Sequence, residues 1–566
     1  MRSLFRLKRK QADTNIGASE ETGDISSTVH HDEEMRYGPE KVAAKLSNGD
    51  LEGRDLKRDL NVRHLCFLAI GTGIGTGLFI GSGNILAIGG PGSLLINFVL
   101  VGFMVITVLF SVGEIFAVYP FIGSYANIMA RFVDSSFAFC ISVLYCITWI
   151  LILPLELTTA TIVITFWDKD EVVPQGVWIA VILVFVFAIN LLGVRMYGEF
   201  EFFATTIKIV ACIGFIICAA VIDCGGAPSG KYLGASTWYN PGAFNNSFKG
   251  FCSAFAFAAL SYGGTEIVGI TAAEAKYPHK MLPKAVKFVV YRVLILYIAT
   301  LFTITLIVPY NASELLGSSS DPRASPFVIT IQTGAIYALP AIFNGVILIS
   351  VISVASSAVY SGSRLVHSMA QTGFLPVWFA YSVKGAPVVG YIVAFLFGML
   401  AFLVYSTSKN EAFAWLGSIA GISVIFLWLG ISISHLRFRL AWRKQGYTNR
   451  DLPWASPLGI YGTIFGTVIN ILVLAASFYS AAFPVGEGEM TSRERAKTFF
   501  QTYLPGAIFV VVFVGHKICT RTLPIRLKDI DLQMGRREAA SELMLQEERE
   551  KKQNMSFWRR ALDILF

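Results

Sequence analysis

Long apolar runs alternate with short polar loops from about residue 64 to residue 519 of the chain. A transmembrane helix needs roughly 20 consecutive, mostly apolar residues. The sequence contains twelve candidate segments of this kind. The pattern therefore predicts an all-α membrane protein whose spans lie at 64–88, 93–118, 136–166, 177–194, 200–222, 250–272, 287–309, 336–366, 387–405, 412–433, 459–482 and 503–519.

Polar segments flank this apolar region and divide the chain into three parts. Residues 1–60 mix both charges and are poor in apolar residues, which predicts a disordered tail. The twelve-helix domain occupies 61–520, and 521–566 form a charged tail whose "LMLQEEREKKQ" resembles a short amphipathic helix. The start, "MRSLFRLKRKQ", lacks the apolar core of a cleavable signal peptide.

Composition agrees with a membrane protein and argues against several functions. Hydrophobic residues make up 54% of the chain and charged residues only 15%. The net charge of +8 is spread over tails and loops, so we expect the lipid bilayer as a partner and no nucleic acid. The eight cysteines form neither CxxC nor a Cys/His cluster, and no catalytic triad or phosphate motif is found. We therefore expect no metal, no cofactor and no enzymatic activity.

With the N-terminus placed in the cytoplasm, the loops on the cytoplasmic side contain more lysine and arginine than the loops on the opposite side. Cytoplasmic loops carry this excess in membrane proteins, so we expect both termini to be cytoplasmic.

Two apolar segments are rich in glycine at matching positions. The first is "AIGTGIGTGLFIGSG" (Ala69–Gly83), and the second, five spans later, is "FAALSYGGTEIVG" (Phe257–Gly269). Glycine costs about 1 kcal/mol per helical position relative to alanine. Paired glycine interruptions are typical of transporters with inverted repeats and discontinuous helices. We expect an inverted repeat of five plus five helices, with helices 1 and 6 broken and two extra helices.

An unwound helix exposes main-chain groups that must be satisfied inside the membrane. Amides at the start of a half-helix suit a carboxylate, and carbonyls that end the preceding half suit an ammonium. An α-amino acid carries both charges on one carbon, which makes amino acids the predicted substrates. The alternative is that the glycines only allow close helix packing, since Gly71 with Gly75 and Gly77 with Gly81 have the small-xxx-small spacing.

Several motifs resemble those of the fungal amino acid permeases, within the amino acid–polyamine–organocation superfamily. They are "RHLCFLAIGTGIGTGLFIGSG", "YGEFEFFATTIKIVACIGFII", "GGTEIVGITAAEAKYPHKMLPKAVK", "LIVPYN", "ASPFVI" and "SISHLRFRLAWRKQG". The similarity is greatest to the general and broad-range permeases. It implies the LeuT-like fold and proton-coupled uptake of L-amino acids across the plasma membrane by alternating access.

The resemblance also implies which residues of the first break bind substrate. The amides of Gly75, Thr76 and Gly77 would take the carboxylate, and the carbonyl of Gly73 would take the ammonium.

In the second break, the resemblance assigns the carbonyls of Leu260 and Gly263 to the ammonium. Leu260, Ser261 and Tyr262 would lie against the substrate side chain or form the gate above it.

Ionisable residues inside the membrane are candidates for function. Lys208 could load and release the coupling proton, or it could extend to the cytoplasmic interface. Glu266 follows the second break and Glu156 lies in the third span, where either could join the proton or charge network or cap a half-helix. Glu114 is expected to be structural.

Substrate range is inferred from residues near the predicted site. Basic-selective relatives usually have glutamine where this chain has Gly263, and polar or small residues where it has Ile152 and Pro154. This favours broad-range or neutral substrates, with a basic amino acid permease or an amino acid sensor as alternatives. A polyamine or choline carrier would need a more acidic lining, and no channel filter is found.

Lysines of the N-terminal tail are expected to be acceptors for ubiquitin-ligase machinery, as the resemblance implies, or ordinary solvated charges. They are Lys8, Lys10, Lys41 and Lys45.

Overall fold

The computed structural model describes residues 62–119, 124–168, 170, 172–271, 286–316, 325–383, 385–405, 409–534 and 536. All of them belong to one compact unit that spans 51–566. The tail lysines and the "LMLQEEREKKQ" segment lie outside the described residues.

The described residues form mainly helices joined by loops of varied length. One small antiparallel hairpin pairs β1 (Ser382–Val383) with β2 (Ala386–Pro387). The helices are α1 (Val62–Gly71), α2 (Ser82–Val118, preceded by a π-helical turn at Gly77–Gly81), α3 (Tyr125–Phe132), α4 (Ser135–Ile164), α5 (Gln175–Leu191), α6 (Val194–Asp223), α7 (Ser247–Ser253), α8 (Phe255–Tyr262), α9 (Ile267–Thr271), α10 (Val286–Ile307), α11 (Ser313–Leu316), α12 (Pro326–Thr333), α13 (Leu339–Gln371), α14 (Val388–Gly398), α15 (Lys409–Lys444), α16 (Gly459–Ala482) and α17 (Ser492–Thr520).

Nine helical stretches in the described part of the chain are long and apolar enough to cross a membrane. Two shorter apolar helices, Gln175–Leu191 and Val388–Leu403, accompany them. The protein is therefore a multi-pass helical membrane protein.

One of the nine stretches, Gly77–Val118, has 42 residues. At 1.5 Å per residue it would extend about 60 Å, twice the thickness of the hydrocarbon core. Gly90 interrupts it with a φ of +80° immediately before Pro91, and the Gly92 amide donates to the carbonyl of Ala243 at 2.7 Å. The chain therefore changes direction between the predicted spans 64–88 and 93–118.

Burial separates central helices from peripheral ones. The most apolar windows of α4 and of Ala414–Lys444 are 78% buried, whereas that of α17 is 11% buried. α4 packs extensively against α13 and α15. Exposed apolar residues such as Val510, Val511 and Ile518 follow the later part of α17, so this part of the helix presents its surface to lipid and lies at the edge of the bundle.

Helix ends differ from the hydropathy pattern where helices continue past the apolar region. α15 runs to Lys444 rather than 433, and α17 begins at Ser492 rather than 503. The start of α17 has a capping box in which Thr491 and Glu494 satisfy each other's main-chain amides. Capping, which hydropathy does not detect, sets this end.

Residues 521–534, which we call the C-terminal strap, fold back onto the bundle after α17. Main-chain carbonyls of the strap accept hydrogen bonds from Tyr119 (to Leu532, 3.0 Å), Arg131 (to Asp531, 2.8 Å) and Gln445 (to Ile530, 2.8 Å). The side chains of Ile530 and Leu532 are buried. The strap thus joins α3 and the end of α15.

Candidate functional site

The first glycine-rich segment is interrupted. α1 ends at Gly71, residues 72–75 leave the helical conformation, and helical structure resumes at Thr76. The Thr72 hydroxyl lies 2.8 Å from the carbonyl of Leu68 and 2.8 Å from that of Gly264. The second of these contacts joins the first break to the second.

The second segment is interrupted where it meets the first break. α8 ends at Tyr262, residues 263–266 form turns, and α9 begins at Ile267. Gly264 has a φ of +89°, which L side chains rarely adopt. A Cβ atom there would lie 3.0 Å from the Thr72 carbonyl oxygen, so both main chains meet directly.

A cavity of about 20 Å³ lies between the two breaks. Its lining combines main-chain groups of both breaks with apolar side chains and one carboxylate: Thr72, Gly73, Gly75, Thr76, Gly77, Trp149, Ile152, Glu156, Leu260, Gly263 and Val354. This volume holds about one water molecule. The structure is therefore closed around the site, and an amino acid would enter only after the walls separate.

Six of the eight predicted binding residues line this cavity, and two do not. Ser261 and Tyr262 are absent from the lining. The Tyr262 hydroxyl donates instead to the carbonyl of Phe98 at 2.9 Å. The Ser261 hydroxyl donates within its own helix to Phe257 at 2.8 Å.

The glycines of the first break serve two different needs. A Cβ atom on Gly71 would meet Thr205 at 1.7 Å, and one on Gly77 would lie 2.6 Å from the Ser261 Cα atom. Close packing therefore explains these two glycines. Gly73 and Gly75 are non-helical, face the cavity, and have no hydrogen bond from their amides among the described residues. A Cβ atom would lie 2.5 Å from Arg292 Nη2 at Gly73 and 2.7 Å from Val354 Cγ2 at Gly75, so at these two positions close packing and an exposed main-chain amide coincide.

Tyr297 on α10 bridges the two breaks. Its hydroxyl oxygen lies 2.7 Å from the carbonyl oxygen of Gly73 and 2.7 Å from that of Ser261. A hydroxyl has one proton to donate, so it satisfies one carbonyl at a time. One of these carbonyls, Gly73, is a predicted acceptor for the substrate ammonium.

Arg292, one helical turn before Tyr297, supports the ends of both half-helices. Its guanidinium donates to the carbonyls of Ala69 at 2.7 Å, Ile70 at 3.2 Å and Tyr262 at 3.4 Å. Carbonyls at helix ends lack partners within the helix. Arg292 supplies those partners from a position that is 1% exposed.

Glu156 is the carboxylate in the cavity wall. It accepts a hydrogen bond from the Thr76 hydroxyl at 2.7 Å, and it is buried on α4. The carboxyl group therefore lies beside the start of the helix that resumes at Thr76, where the helix dipole favours an anion.

Glu266 is buried at the second break but does not line the cavity. Its carboxylate accepts from the Gly264 amide at 3.2 Å and from the Trp428 indole at 3.4 Å. The carboxylate thus satisfies a main-chain amide within the second break.

Lys208 is fully buried on α6 rather than extended to a membrane surface. Its ammonium donates to the Gly71 carbonyl at 2.9 Å and to the Ser353 hydroxyl at 2.9 Å, and it lies 3.8 Å from Glu201. The cation thus lies behind the first break, in contact with the end of α1.

Sequence reasoning missed Glu201 and Tyr297. Glu201 and Lys208 are seven residues apart on α6, with Thr205 between them at the four-residue spacing, so one helix face carries all three. That periodicity could have identified Glu201. Nothing local identifies Tyr297, because its partner Gly73 is 224 residues away in the chain.

Glu114 takes part in a separate buried network, as expected of a structural residue. Its carboxylate lies 2.9 Å from a ring nitrogen of His435 and contacts the guanidinium of Arg439, and it accepts from the Ser456 amide at 2.7 Å. Among the described residues, no cluster could hold a metal ion.

Over most of its length the chain is similar in sequence to known proteins of one family. The family model described as amino acid permease matches residues 64–527. Amino-acid permease GAP5 of Candida albicans is 42% identical over 563 residues, covering 98% of this chain and 88% of that protein. General amino-acid permease GAP1 of Saccharomyces cerevisiae is 41% identical over 514 residues, with coverage of 88% and 84%. Tryptophan permease of the same yeast is 41% identical over 512 residues, with coverage of 89% and 86%.

Proposed function

The chain belongs to the amino acid permease family, and from this premise we propose that it takes up broad-range or neutral L-amino acids across the plasma membrane in symport with protons. Members of this family are transporters, so the protein is a transporter of amino acids and not an enzyme.

The proposed architecture has twelve spans, of which 1–5 and 6–10 form inverted repeats. Two features support it. The apolar helices together with the division at Gly90 provide enough segments, and both breaks occur at corresponding places of the two halves. Both termini are proposed to lie in the cytoplasm, where ubiquitin ligases would reach the tail lysines.

One observation carries the proposed function: two interrupted helices meet at a closed cavity lined by their own main chains. The amides of Gly75, Thr76 and Gly77 can take a carboxylate, and carbonyls of both breaks can take an ammonium. A zwitterionic head group matches both sets of groups at once. Recognition of the head group leaves the side chain to the opposite wall of the cavity.

That opposite wall favours neutral side chains. Trp149, Ile152, Val354 and Leu260 supply apolar surface. Such a wall discriminates weakly between apolar side chains, because one extra or missing methylene group changes the free energy of recognition by only about 1–3 kcal/mol. The similarity to a general amino-acid permease and to a tryptophan permease supports a permissive pocket that also accepts large side chains. Glu156 is the one feature of the wall that favours a basic substrate.

Proton coupling is assigned to Lys208. A lysine in a dry interior exchanges its proton more readily than one in water, and Lys208 holds the carbonyl that ends α1. Gain or loss of that proton would strengthen or weaken the hydrogen bond to the end of α1. A movement of α1 of this kind is what alternating access requires. Glu156 and Glu266 complete the proposed charge network.

The test is uptake of labelled amino acids by permease-deficient yeast cells that express the protein, at two pH values. Each of the other nineteen amino acids serves as a competitor. We expect faster uptake at the more acidic pH, competition by most neutral amino acids, and loss of uphill accumulation in Lys208→Ala. Competition by lysine and arginine alone would establish a basic permease. If the protein reaches the cell surface but takes up no amino acid, a sensor is favoured.

A further inference from the structure

Glu201 is a buried carboxylate in the membrane region to which the transport cycle described above gives no task. Its side chain is fully buried on α6, one of the apolar spans. Carboxylates at membrane depth are costly and usually functional. Its neighbours decide which function it has.

Three side chains form a connected chain of hydrogen bonds. The Lys208 ammonium donates to the Ser353 hydroxyl at 2.9 Å, and the Ser353 hydroxyl donates to the Glu201 carboxylate at 2.5 Å. The ammonium has no acceptor and the carboxylate has no proton to give, so the direction of donation is fixed from lysine to glutamate. A short bond from hydroxyl to carboxylate is typical of charge-assisted hydrogen bonds.

The other charged or titratable groups that face Lys208 are Glu156 on α4, Arg292 on α10 and Cys212 on its own helix. Glu156 is hydrogen-bonded to Thr76 in the cavity wall, and Arg292 is a cation. Glu201 is the carboxylate that lies 3.8 Å from the Lys208 nitrogen and shares the Ser353 hydroxyl with it.

We propose that Glu201, reached through the Ser353 hydroxyl, is the group that receives the coupled proton from Lys208 during transport. Lys208 gives one proton to Ser353 Oγ while Ser353 gives its own proton to Glu201 Oε2. The serine is unchanged, the ammonium becomes an amine, and the carboxylate becomes a carboxylic acid. This inference rests on the proposed proton coupling at Lys208.

The transfer has a structural consequence at the first break. As an ammonium, Lys208 makes a charge-assisted hydrogen bond to the Gly71 carbonyl at 2.9 Å. As a neutral amine it holds that carbonyl less strongly, and the ion pair with Glu201 is lost. The end of α1 is thereby released only when the proton has moved on.

The experiment uses purified full-length protein in liposomes. The probe is the labelled amino acid that the wild type takes up fastest among the twenty. Two rates are measured: uphill accumulation driven by an acidic exterior, and exchange between equal concentrations without a proton gradient. We expect Glu201→Gln to lose accumulation while it retains exchange, because the neutral amide cannot accept the proton. Glu201→Asp should recover part of the accumulation, and Ser353→Ala should lose part of it.

Glu199→Gln is the matched control, because Glu199 lies two residues away on α6 and contacts His64 instead. It should accumulate the probe like the wild type. If Glu201→Gln accumulates normally, or if folded Glu201→Gln loses exchange and accumulation together, the inference is wrong. If Glu201→Gln fails to fold, Ser353→Ala decides by the same two criteria. If the wild type accumulates no more substrate with a proton gradient than without one, the proposed coupling itself is wrong. If the wild type and Glu201→Gln both accumulate substrate in response to the gradient, only this inference is wrong.

Discussion

Gly77 is one of the positions near the first break where an added side chain would meet the main chain of the second broken helix. A Cβ atom built there lies 2.6 Å from the Cα atom and 2.8 Å from the main-chain nitrogen of Ser261, and main chain cannot move aside as a side chain can. We expect Gly77→Ala to push the two broken helices apart. Overpacking of this kind typically costs about 1–3 kcal/mol.

The measurement is uptake of several labelled amino acids by cells with equal amounts of surface protein. Gly77→Ala should reduce uptake of all of them by a similar factor, because the main-chain groups that it displaces bind the part common to every amino acid. Gly515→Ala is the control, since nothing lies within 4 Å of a Cβ atom there. A change confined to large substrates would contradict the expectation.

Tyr297 allows a second test at the residue scale. Its hydroxyl lies between the carbonyls of Gly73 and Ser261 in the closed structure. Tyr297→Phe leaves a buried carbonyl without this donor when the site is empty, which costs about 1–3 kcal/mol. A bound ammonium would supply the missing donor. The variant should therefore show a KM about tenfold lower and a reduced kcat.

Initial rates of uptake against substrate concentration measure both constants. Tyr310→Phe is the control, because the Tyr310 hydroxyl contacts Pro241 at 3.4 Å outside the site. A raised KM in Tyr297→Phe would show that the hydroxyl binds substrate itself.

Local pattern identifies some residues of the site and not others. The high density of glycine located both breaks. Glycine destabilises a helix, so several glycines in one apolar segment indicate that the segment is not a regular helix there. Lys208 stood out as a charge among apolar residues. Tyr297 and Trp149 did not, since aromatic residues are ordinary in membrane helices and only tertiary structure directs them to the cavity.

At the scale of whole helices, a buried ionic network joins α2, α15 and α16. Glu114 contacts His435 and Arg439, and His435 also lies 2.8 Å from the Thr463 hydroxyl. Glu114→Gln keeps the shape of the side chain but leaves the Arg439 guanidinium buried without its counter-charge. Removing one partner of a buried pair typically costs about 3–5 kcal/mol.

Thermal unfolding of the purified protein in detergent measures this cost, and the variant should unfold at a clearly lower temperature. Lys249→Met is the matched control. It breaks the partly exposed ion pair with Glu487, and pairs of that kind contribute about 0–1 kcal/mol. Equal unfolding temperatures of Glu114→Gln and the wild type would show that the network does not stabilise the bundle.

Helix positions were more predictable than helix ends. Hydropathy found the apolar part of α15 but not its extension to Lys444, where charged residues continue the helix beyond the apolar stretch. The short helices α3 and α12 were not predicted, because neither is long enough to give a membrane signal.

For the whole molecule, the C-terminal strap makes contacts that the sequence did not predict. Composition indicated a charged tail from residue 521, and the structure adds that residues 521–534 of it pack against distant parts of the bundle. Its sequence alternates charged residues with a few apolar ones, so no local pattern predicts docking. Two of the contacts depend on partners about 400 residues earlier in the chain.

The strap leads to a prediction about global stability. Ile530 and Leu532 are 2% and 1% exposed, whereas Leu523 in the same segment is 81% exposed. Replacing a buried leucine or isoleucine by a small residue costs about 2–5 kcal/mol. The double variant Ile530→Ser, Leu532→Ser should therefore unfold at a lower temperature in detergent than Leu523→Ser, which should match the wild type. The hydrogen bonds from Tyr119, Arg131 and Gln445 reach main-chain carbonyls and remain available in the double variant, so a difference between the two variants reports apolar docking of the strap. Equal unfolding temperatures would mean that the strap lies on the bundle without stabilising it.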